Sequence, residues 1–156
     1  MSAVTKIISG GQTGVDRAAL DVAVELGIAC GGWCPKGRAS EDGPIPDHYP
    51  LTETPSAEPA QRTEWNVRDA DATLIIAQGK LTGGTALARR LARSMKKPCL
   101  ITNPAEAISP ATVRDWLDDH QVEVLNVAGP RASTDPHIYE LARQLLSNAL
   151  ARDDLR

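Results

Sequence analysis

The chain has 156 residues, the length of a single domain, and a formal net charge of -3. Hydrophobic residues make up 42% and charged residues 24% of the chain, a balance that excludes an intrinsically disordered protein. The acidic charge and an aromatic content of 3%, with no Phe, disfavour a nucleic-acid-binding protein, which needs a basic face or base-stacking side chains.

Hydrophobic periodicity predicts strands that alternate with helices along the chain. The expected strands are short apolar runs at residues 4–8, 28–33, 73–77, 99–102 and 122–127. The expected helices have apolar residues at a spacing of three and four, at residues 15–26, 61–68 with Trp65 inward, 84–97, 110–120 and from 136 onward. This alternation predicts one α/β domain over residues 1–156, with an open, mostly parallel sheet of about five strands and helices on both faces.

Residues 35–60 interrupt this pattern. They contain six of the eleven prolines and show little hydrophobic periodicity. A segment of that length without regular structure is typical of a functional loop or lid, here one that would cover a bound ligand. The alternative is a surface excursion without a role in binding.

Three glycine-rich loops each follow a predicted strand and precede a predicted helix. They lie at residues 9–14, 79–85 and 128–134. Because the carboxyl ends of parallel strands meet at one edge of a sheet, we expect these loops to converge there. Glycine lets a ligand approach the backbone, and helix N-termini present unpaired N–H groups, so the pattern predicts an oxyanion site, with phosphate as the expected oxyanion.

The candidate binding residues are those that supply amides, hydroxyl groups or charge near these loops. They are Gly10, Gly11, Gln12, Thr13, Gly14, Asp16, Thr82, Gly83, Gly84, Thr85, Gly129, Arg131 and Ser133, together with Lys36 and Arg38 of the long segment. Asp16 would repel an anion bound in the first loop, so residues 82–85 are the preferred anion site. Asp16 either forms a capping box with Thr13, accepts a hydrogen bond from a ligand hydroxyl, or pairs with Arg17 or Arg131.

Several other classes of protein are disfavoured. The Walker A and dinucleotide-binding glycine patterns are absent, which ranks ATP hydrolysis and nicotinamide chemistry low. Three cysteines without secretory context predict reduced thiols and a cytoplasmic location, and no apolar run is long enough to cross a membrane. The spacing of Cys30 and Cys34 fits neither a redox motif nor a zinc site, so we expect no resident metal; both are interpreted as buried thiols, with contact between Cys34 and a soft metal as the alternative.

The chain resembles the family of putative molybdenum carrier proteins. The resemblance rests on GGQTGVDRAALD at 10–21, GGWCPKGR at 31–38, EDGPIP at 41–46, TEWNVRD at 63–69, TGGT at 82–85 and AGPR at 128–131. It implies a three-layer, Rossmann-like fold in a superfamily shared with molybdenum-cofactor carriers and cytokinin-releasing phosphoribohydrolases. It also implies self-association and a ligand at the glycine-rich edge, with molybdenum cofactor or molybdate as the cargo.

Three functions remain open. The first is a binding or carrier protein for a small phosphorylated ligand. The second is an enzyme that hydrolyses nucleoside monophosphates, with Asp16, Glu41 or Asp42 as the acid–base group. The phosphoribohydrolases carry a glutamate soon after their glycine-rich loop, whereas residues 86–90 here contain no acid, which counts against this activity. The third is a nucleotide-sensing module.

Overall fold

The computed structural model describes residues 4–106 and 110–151, which contain nine strands and five helices. The strands are β1 (Lys6–Ile8), β2 (Ala29–Gly31), β3 (Trp33–Cys34), β4 (Ala39–Ser40), β5 (Gly43–Pro44), β6 (Thr52–Glu53), β7 (Ala72–Ile76), β8 (Cys99–Thr102) and β9 (Val124–Ala128). The helices are α1 (Val15–Leu26), α2 (Pro59–Asp69), α3 (Gly83–Ser94), α4 (Pro110–Asp119) and α5 (Ile138–Leu150). The ends of the predicted domain, residues 1–3 and 152–156, lie outside the described residues.

Five strands form the main sheet, and all of its pairings are parallel. Their order is β2-β1-β9-β7-β8, so β9, the last strand in the chain, lies at the centre. Ile7 of β1 pairs with Leu125 of β9, and Leu74 of β7 pairs with Val127 of β9. All five residues of β7 are buried, which explains why that segment reads as a continuous apolar run.

Helices cover both faces of the sheet. Helices α1, α4 and α5 pack together on one face, and α2 packs against α3 on the other. The larger core joins the sheet to the first group and includes Ile7, Val22, Leu125 and Leu146, all fully buried. The predicted fold class is therefore confirmed. Within the described ranges, no helix is long and apolar enough to cross a membrane.

The predicted strand at 28–33 is wrong in its second half, because the chain turns at Gly32. A Cβ at this position would lie 2.4 Å from the carbonyl oxygen of Ser9, and the backbone φ of +123° is unfavourable for other residues. The strand therefore ends as β2 at Gly31. After Gly32, Trp33 and Cys34 form β3, which pairs with β6 in a separate two-stranded sheet.

The long segment at 35–60 contains more regular structure than its sequence indicates. Strands β4 and β5 form a short antiparallel pair, and β6 joins β3. The guanidinium of Arg38 holds the segment together by donating to four backbone carbonyl oxygens, those of Ile45 at 3.3 Å, Leu51 at 3.3 Å, Pro46 at 2.8 Å and Tyr49 at 3.1 Å. Arg38 therefore has its donors engaged within the segment.

Helix α2 does not turn Trp65 toward the core as the apolar pattern predicts. Trp65 is half-buried and packs edge-on against Trp33, with ring centroids 4.7 Å apart. The buried residues of α2 are Arg62, Asn66 and Val67. Two polar side chains thus face the carboxyl edge of the sheet, where the candidate site lies.

Candidate anion-binding site

A cavity of about 140 Å³ lies at the carboxyl edge of the main sheet. It sits where β9 leads toward α5 on one face and the adjacent β7 leads to α3 on the other, the crevice at which open α/β sheets bind ligands. Its lining comes from the three glycine-rich loops and from α2. The polar and charged lining residues include Gln12, Asp16, Arg62, Thr63, Asn66, Thr82, Thr85, Asn126, Arg131 and Thr134.

The N-terminus of α3 supplies the free backbone donors. Gly83, Gly84 and Thr85 line the cavity and open this helix of 12 residues. The first N–H groups of an α-helix have no acceptor within the helix and carry partial positive charge. Thr82 makes no side-chain capping bond and the first turn contains no acid, so nothing in this turn competes with a bound anion.

Arg62 of α2 is a buried cation at the cavity, with 8% of its surface exposed. Its Nη1 donates a hydrogen bond of 2.9 Å to the carbonyl oxygen of Gly10 and lies 3.8 Å from Oδ2 of Asp16. A Cβ on residue 10 would come within 2.4 Å of that Nη1 atom. Glycine at position 10 therefore makes room for the guanidinium.

Among the described residues, Asp16 supplies the carboxylate that lines the cavity, and 9% of its surface is exposed. Its Oδ2 accepts a hydrogen bond of 3.2 Å from the backbone N–H of Gln12. Burial raises the pKa of Asp16 to about 6, because the loss of hydration outweighs the opposing charge of Arg62 and the Gln12 hydrogen bond.

The expected capping box between Thr13 and Asp16 does not form, because Gly14 is the residue that caps α1 and makes no side-chain bond. Asp16 also does not form the expected ion pair with Arg17 or Arg131, because each arginine lies next to a different carboxylate. Arg17 binds Asp42 at 2.7 Å, and Nη1 of Arg131 lies 4.0 Å from Oε1 of Glu41. The cation closest to Asp16 is Arg62, which the sequence analysis did not single out.

Several backbone amides of the first and last glycine-rich loops already donate to nearby side chains. The N–H of Thr13 donates to the side chain of Gln12 at 3.0 Å, and that of Ala132 donates to the Thr13 hydroxyl at 3.1 Å. Glu41 accepts from the hydroxyls of Thr13 and Ser133 and from the Ser133 N–H. These bonds brace the rim of the cavity and leave the α3 end as its main source of amide donors.

The structure brings together nine of the fifteen predicted binding residues in the cavity lining. They are Gly10, Gln12, Asp16, Thr82, Gly83, Gly84, Thr85, Gly129 and Arg131. The other six lie outside the lining, namely Gly11, Thr13, Gly14, Lys36, Arg38 and Ser133. The segment 35–60 also contributes no lining residue, so within the described ranges it braces the adjoining loops instead of covering the cavity.

The residues that sequence reasoning missed come mainly from α2. Arg62, Thr63 and Asn66 line the cavity, as do Asn126 of β9 and Thr134. The sequence contains a signal for two of them, since Arg62 and Asn66 are four residues apart and therefore lie on the same face of the helix. That signal was obscured by the larger apolar surface of Trp65.

A second, more open cavity of about 540 Å³ lies beside α3. Lys80, Arg89, Arg90 and Arg93 surround it, together with the apolar Leu81 and Ile101. None of the fifteen predicted binding residues lines this cavity. Its basic rim provides a useful control for non-specific attraction of anions.

The thiols lie apart from the cavity. Cys34 is fully buried in an apolar cluster with Leu20, Ile45 and Tyr49, and this burial raises the pKa of its thiol. The buried-thiol interpretation is confirmed for Cys34 and is wrong for Cys30, which is only half-buried. Cys34 does not line the cavity, so its position does not favour contact with a soft metal there. Among residues 4–106 and 110–151, no group of three or more His, Cys, Asp or Glu side chains is arranged to hold a metal ion.

Comparison with known proteins gives two matches that span nearly the whole chain. The model of the circularly permutated YpsA SLOG family matches residues 7–150. The fold is similar to the crystal structure, at 1.45 Å resolution, of a putative molybdenum carrier protein from Syntrophus aciditrophicus SB. That protein is 49% identical, with a TM-score of 0.93 over 96% of this chain and 97% of the other. No curated protein matches the chain.

Proposed function

The chain belongs to the circularly permutated YpsA SLOG family, and on this premise we propose that it binds a phosphate-bearing small ligand as a carrier of the molybdenum cofactor. The observation that carries the proposal is the donor set of the cavity. The free N-terminus of α3 and two arginines, Arg62 and Arg131, line the same small space.

Each group has a distinct part in this proposal. The amides of Gly83, Gly84 and Thr85 would donate to the phosphate oxygens, as helix N-termini do in other phosphate sites. Arg131 lies on the rim with 46% of its side chain exposed, so it can reach an incoming anion. Arg62 would add positive charge from its buried position in the cavity wall, where its hydrogen bond to the Gly10 carbonyl oxygen already orients the guanidinium.

The cavity volume supports binding of one end of the ligand. Pockets that enclose a whole drug-sized ligand measure about 300–1,000 Å³, whereas this cavity measures about 140 Å³. The phosphate end of the molybdenum cofactor fits the donor chemistry, and the remainder would extend over the rim. Bare molybdate is a smaller oxyanion that the same donors can satisfy, and it is the alternative cargo.

An enzyme that hydrolyses nucleoside monophosphates is the second candidate, and a specific observation favours Asp16 as its acid–base group. Asp16 has a pKa of about 6 and lines the cavity. Glu41 and Asp42 lie outside the lining. Hydrogen bonds from Ser133 and Thr13 lower the pKa of Glu41, and Arg17 lowers that of Asp42 to about 2. The absence of an acid in the first turn of α3 favours the carrier over the enzyme.

The proposal includes self-association and a cytoplasmic location. Self-association rests on the resemblance to the molybdenum carrier proteins, and the location rests on the interpretation of the three cysteines as reduced thiols. Sedimentation velocity at micromolar concentration tests the first of these. A monomer at every concentration would remove self-association from the proposal.

The carrier proposal is tested by anaerobic purification followed by mass spectrometry of the bound small molecule. We expect molybdenum cofactor, detected also by pterin fluorescence after oxidation, and no turnover of nucleotides. Release of free base from nucleoside monophosphates, abolished by Asp16→Asn, would establish the enzyme instead. A protein that retains no cofactor and does not bind added cofactor, phosphate or molybdate would overturn the proposal.

A further inference from the structure

The cavity combines donors for an anion with a buried carboxyl group, so the protonation state of that group affects how an anion can bind. We propose that Asp16 takes up one proton when an anion binds, so that the cavity favours anions basic enough to share that proton, such as phosphate monoesters, over weakly basic anions such as sulfate. This inference rests on the proposed function, because it concerns the same cavity and the same class of ligand.

The geometry of Asp16 is the first step. About nine-tenths of the residue is buried, and what remains exposed faces the cavity. Oδ2 accepts from the Gln12 N–H, whereas Oδ1 accepts no hydrogen bond from any of the described residues. An ionised carboxylate is only an acceptor, so it cannot form a hydrogen bond with a fully deprotonated oxyanion. A proton between the two oxygens turns the repulsive contact into a hydrogen bond.

The charges around Asp16 are the second step. Three arginines face it from the elements packed around the cavity, namely Arg62 of α2, Arg131 of the loop after β9 and Arg17 of α1 itself. Arg17 is bound to Asp42. The first turn of α3 carries no charged residue. Arginine stays protonated in proteins, so Asp16 is the lining group that titrates between pH 5 and 8 among the described residues.

The energetic cost of protonation is the third step. Without ligand, burial raises the pKa of Asp16 to about 6. At pH 7 the carboxyl group is therefore mostly ionised, but a rise of about one unit in its pKa would protonate half of it. An anion in the cavity adds negative charge beside a desolvated carboxyl group and raises its pKa further. A phosphate monoester has a second pKa near 6, so its proton affinity is close to that of Asp16 and the proton can be shared. Sulfate is a much weaker base and leaves the proton on Asp16.

Sulfate is therefore the probe for the test, because it does not titrate between pH 5.5 and 8. Isothermal titration calorimetry of the full chain in buffers of different ionisation enthalpy measures the protons taken up on binding. We expect uptake of about one proton at pH 7 and about a tenfold loss of sulfate affinity for each pH unit above 6. Inorganic phosphate and glycerol phosphate, measured in parallel, should bind more tightly than sulfate at pH 6.

Two variants sharpen the test. In Asp16→Asn, the side-chain oxygen can still accept from Gln12 while the amide donates to the anion. We expect its sulfate affinity to be independent of pH and at least tenfold higher than that of the wild type at pH 8. Glu25→Gln is the matched control, since this carboxylate lies on the same helix, is exposed and pairs with Arg143. It should behave as the wild type.

The outcomes separate this inference from the carrier proposal. Sulfate and phosphate binding to the wild type without proton uptake would overturn the role of Asp16 and leave the carrier proposal standing. Binding of none of these anions at any pH would overturn both. The proton uptake is measured on the wild type, so the result holds even if Asp16→Asn fails to fold.

Discussion

Arg62 is the side chain that most clearly connects the packing of the fold with the candidate site. It is buried, it holds the Gly10 carbonyl oxygen, and it is the cation nearest Asp16. A guanidinium in this position serves the fold and the cavity at the same time. Its replacement should therefore affect stability and anion affinity together.

We expect Arg62→Met to weaken binding of glycerol phosphate about 10- to 100-fold, the equivalent of losing one charge-assisted contact of about 1.5–3 kcal/mol. It should also destabilise the fold, because Asp16 then loses its nearest positive charge. Calorimetry and urea unfolding measure the two effects. Arg68→Met is the control on the same helix, since Arg68 is exposed and pairs with Asp69. Equal affinity in both variants would exclude Arg62 from the site.

Asp16 also makes the stability of the protein depend on pH. Its pKa is raised in the folded state to about 6 from the ordinary value of 3.8, so the folded protein keeps this proton to higher pH than the unfolded chain. Its contribution to the free energy of unfolding is therefore largest below pH 4 and declines as the pH rises to 6, by up to about 3 kcal/mol.

The measurement is the difference in unfolding free energy between wild type and Asp16→Asn, from urea titrations at pH 4.5 and 7. We expect the wild type to lose stability relative to the variant as the pH rises. Asp42→Asn is the contrast, because the pKa of Asp42 is lowered to about 2 and its contribution should stay constant over this interval. A difference between wild type and Asp16→Asn that does not change with pH would contradict the burial of Asp16.

The segment at 35–60 shows how a part of the chain without clear periodicity acquires a defined structure. The guanidinium of Arg38 stabilises it from within by donating hydrogen bonds to four backbone carbonyl oxygens. Without Arg38, these oxygens would have to bind water. Glu41 and Ile45 then connect the segment to the first glycine-rich loop, the former through Thr13 and the latter through the chain at Gly11. The element acts as a brace for the rim.

We expect Arg38→Met to destabilise the protein by about 2–4 kcal/mol, because several charge-assisted hydrogen bonds are lost at once. Anion affinity at the cavity should change less than threefold, since Arg38 does not line it. Urea unfolding and calorimetry distinguish the two quantities. Lys36→Met, at an exposed neighbouring position, is the control for loss of charge. A loss of affinity without loss of stability would restore Arg38 as a ligand-binding residue.

The molecule as a whole is a three-layer sheet protein whose cavity lies where the connections leave for opposite faces. Binding at such a position joins elements from both faces, namely α1 and the loop after β9 on one side and α2 and α3 on the other. A ligand held there should therefore stabilise the complete fold.

We expect glycerol phosphate at 100 times its dissociation constant to raise the free energy of unfolding by about 2.7 kcal/mol. For a domain of this size, the melting temperature should rise by about 5–10 °C. Differential scanning calorimetry measures the shift, and Arg62→Met should reduce it. Arg93→Gln, at the second basic cavity, should keep the full shift. A shift lost in Arg93→Gln and retained in Arg62→Met would move the binding site to that second cavity.

The fold and the place of the candidate cavity could be predicted from local patterns. The continuous apolar run of β7 and the helical spacing of apolar residues in α1 can be read from residues that are close in the sequence. Because such strands and helices alternate along the chain, the parallel sheet could be predicted. The convergence of the three glycine-rich loops followed from parallel geometry, and nine of fifteen expected residues line the cavity. Both features depend only on the order of strands and helices along the chain. The amino-acid sequence by itself determined that order.

Only the tertiary structure decided which donors remain free and which charges pair. Arg62 reaches Gly10 across 52 positions of the chain, and Glu41 reaches Ser133 across 92. Such contacts depend on how separate elements pack, because hydrogen bonds and ion pairs are satisfied by neighbours in space. For this reason several amides of the first and last loops are engaged by the side chains of Gln12, Thr13, Asp16 and Glu41, and the cavity is left with the end of α3, two arginines and the buried carboxyl group of Asp16.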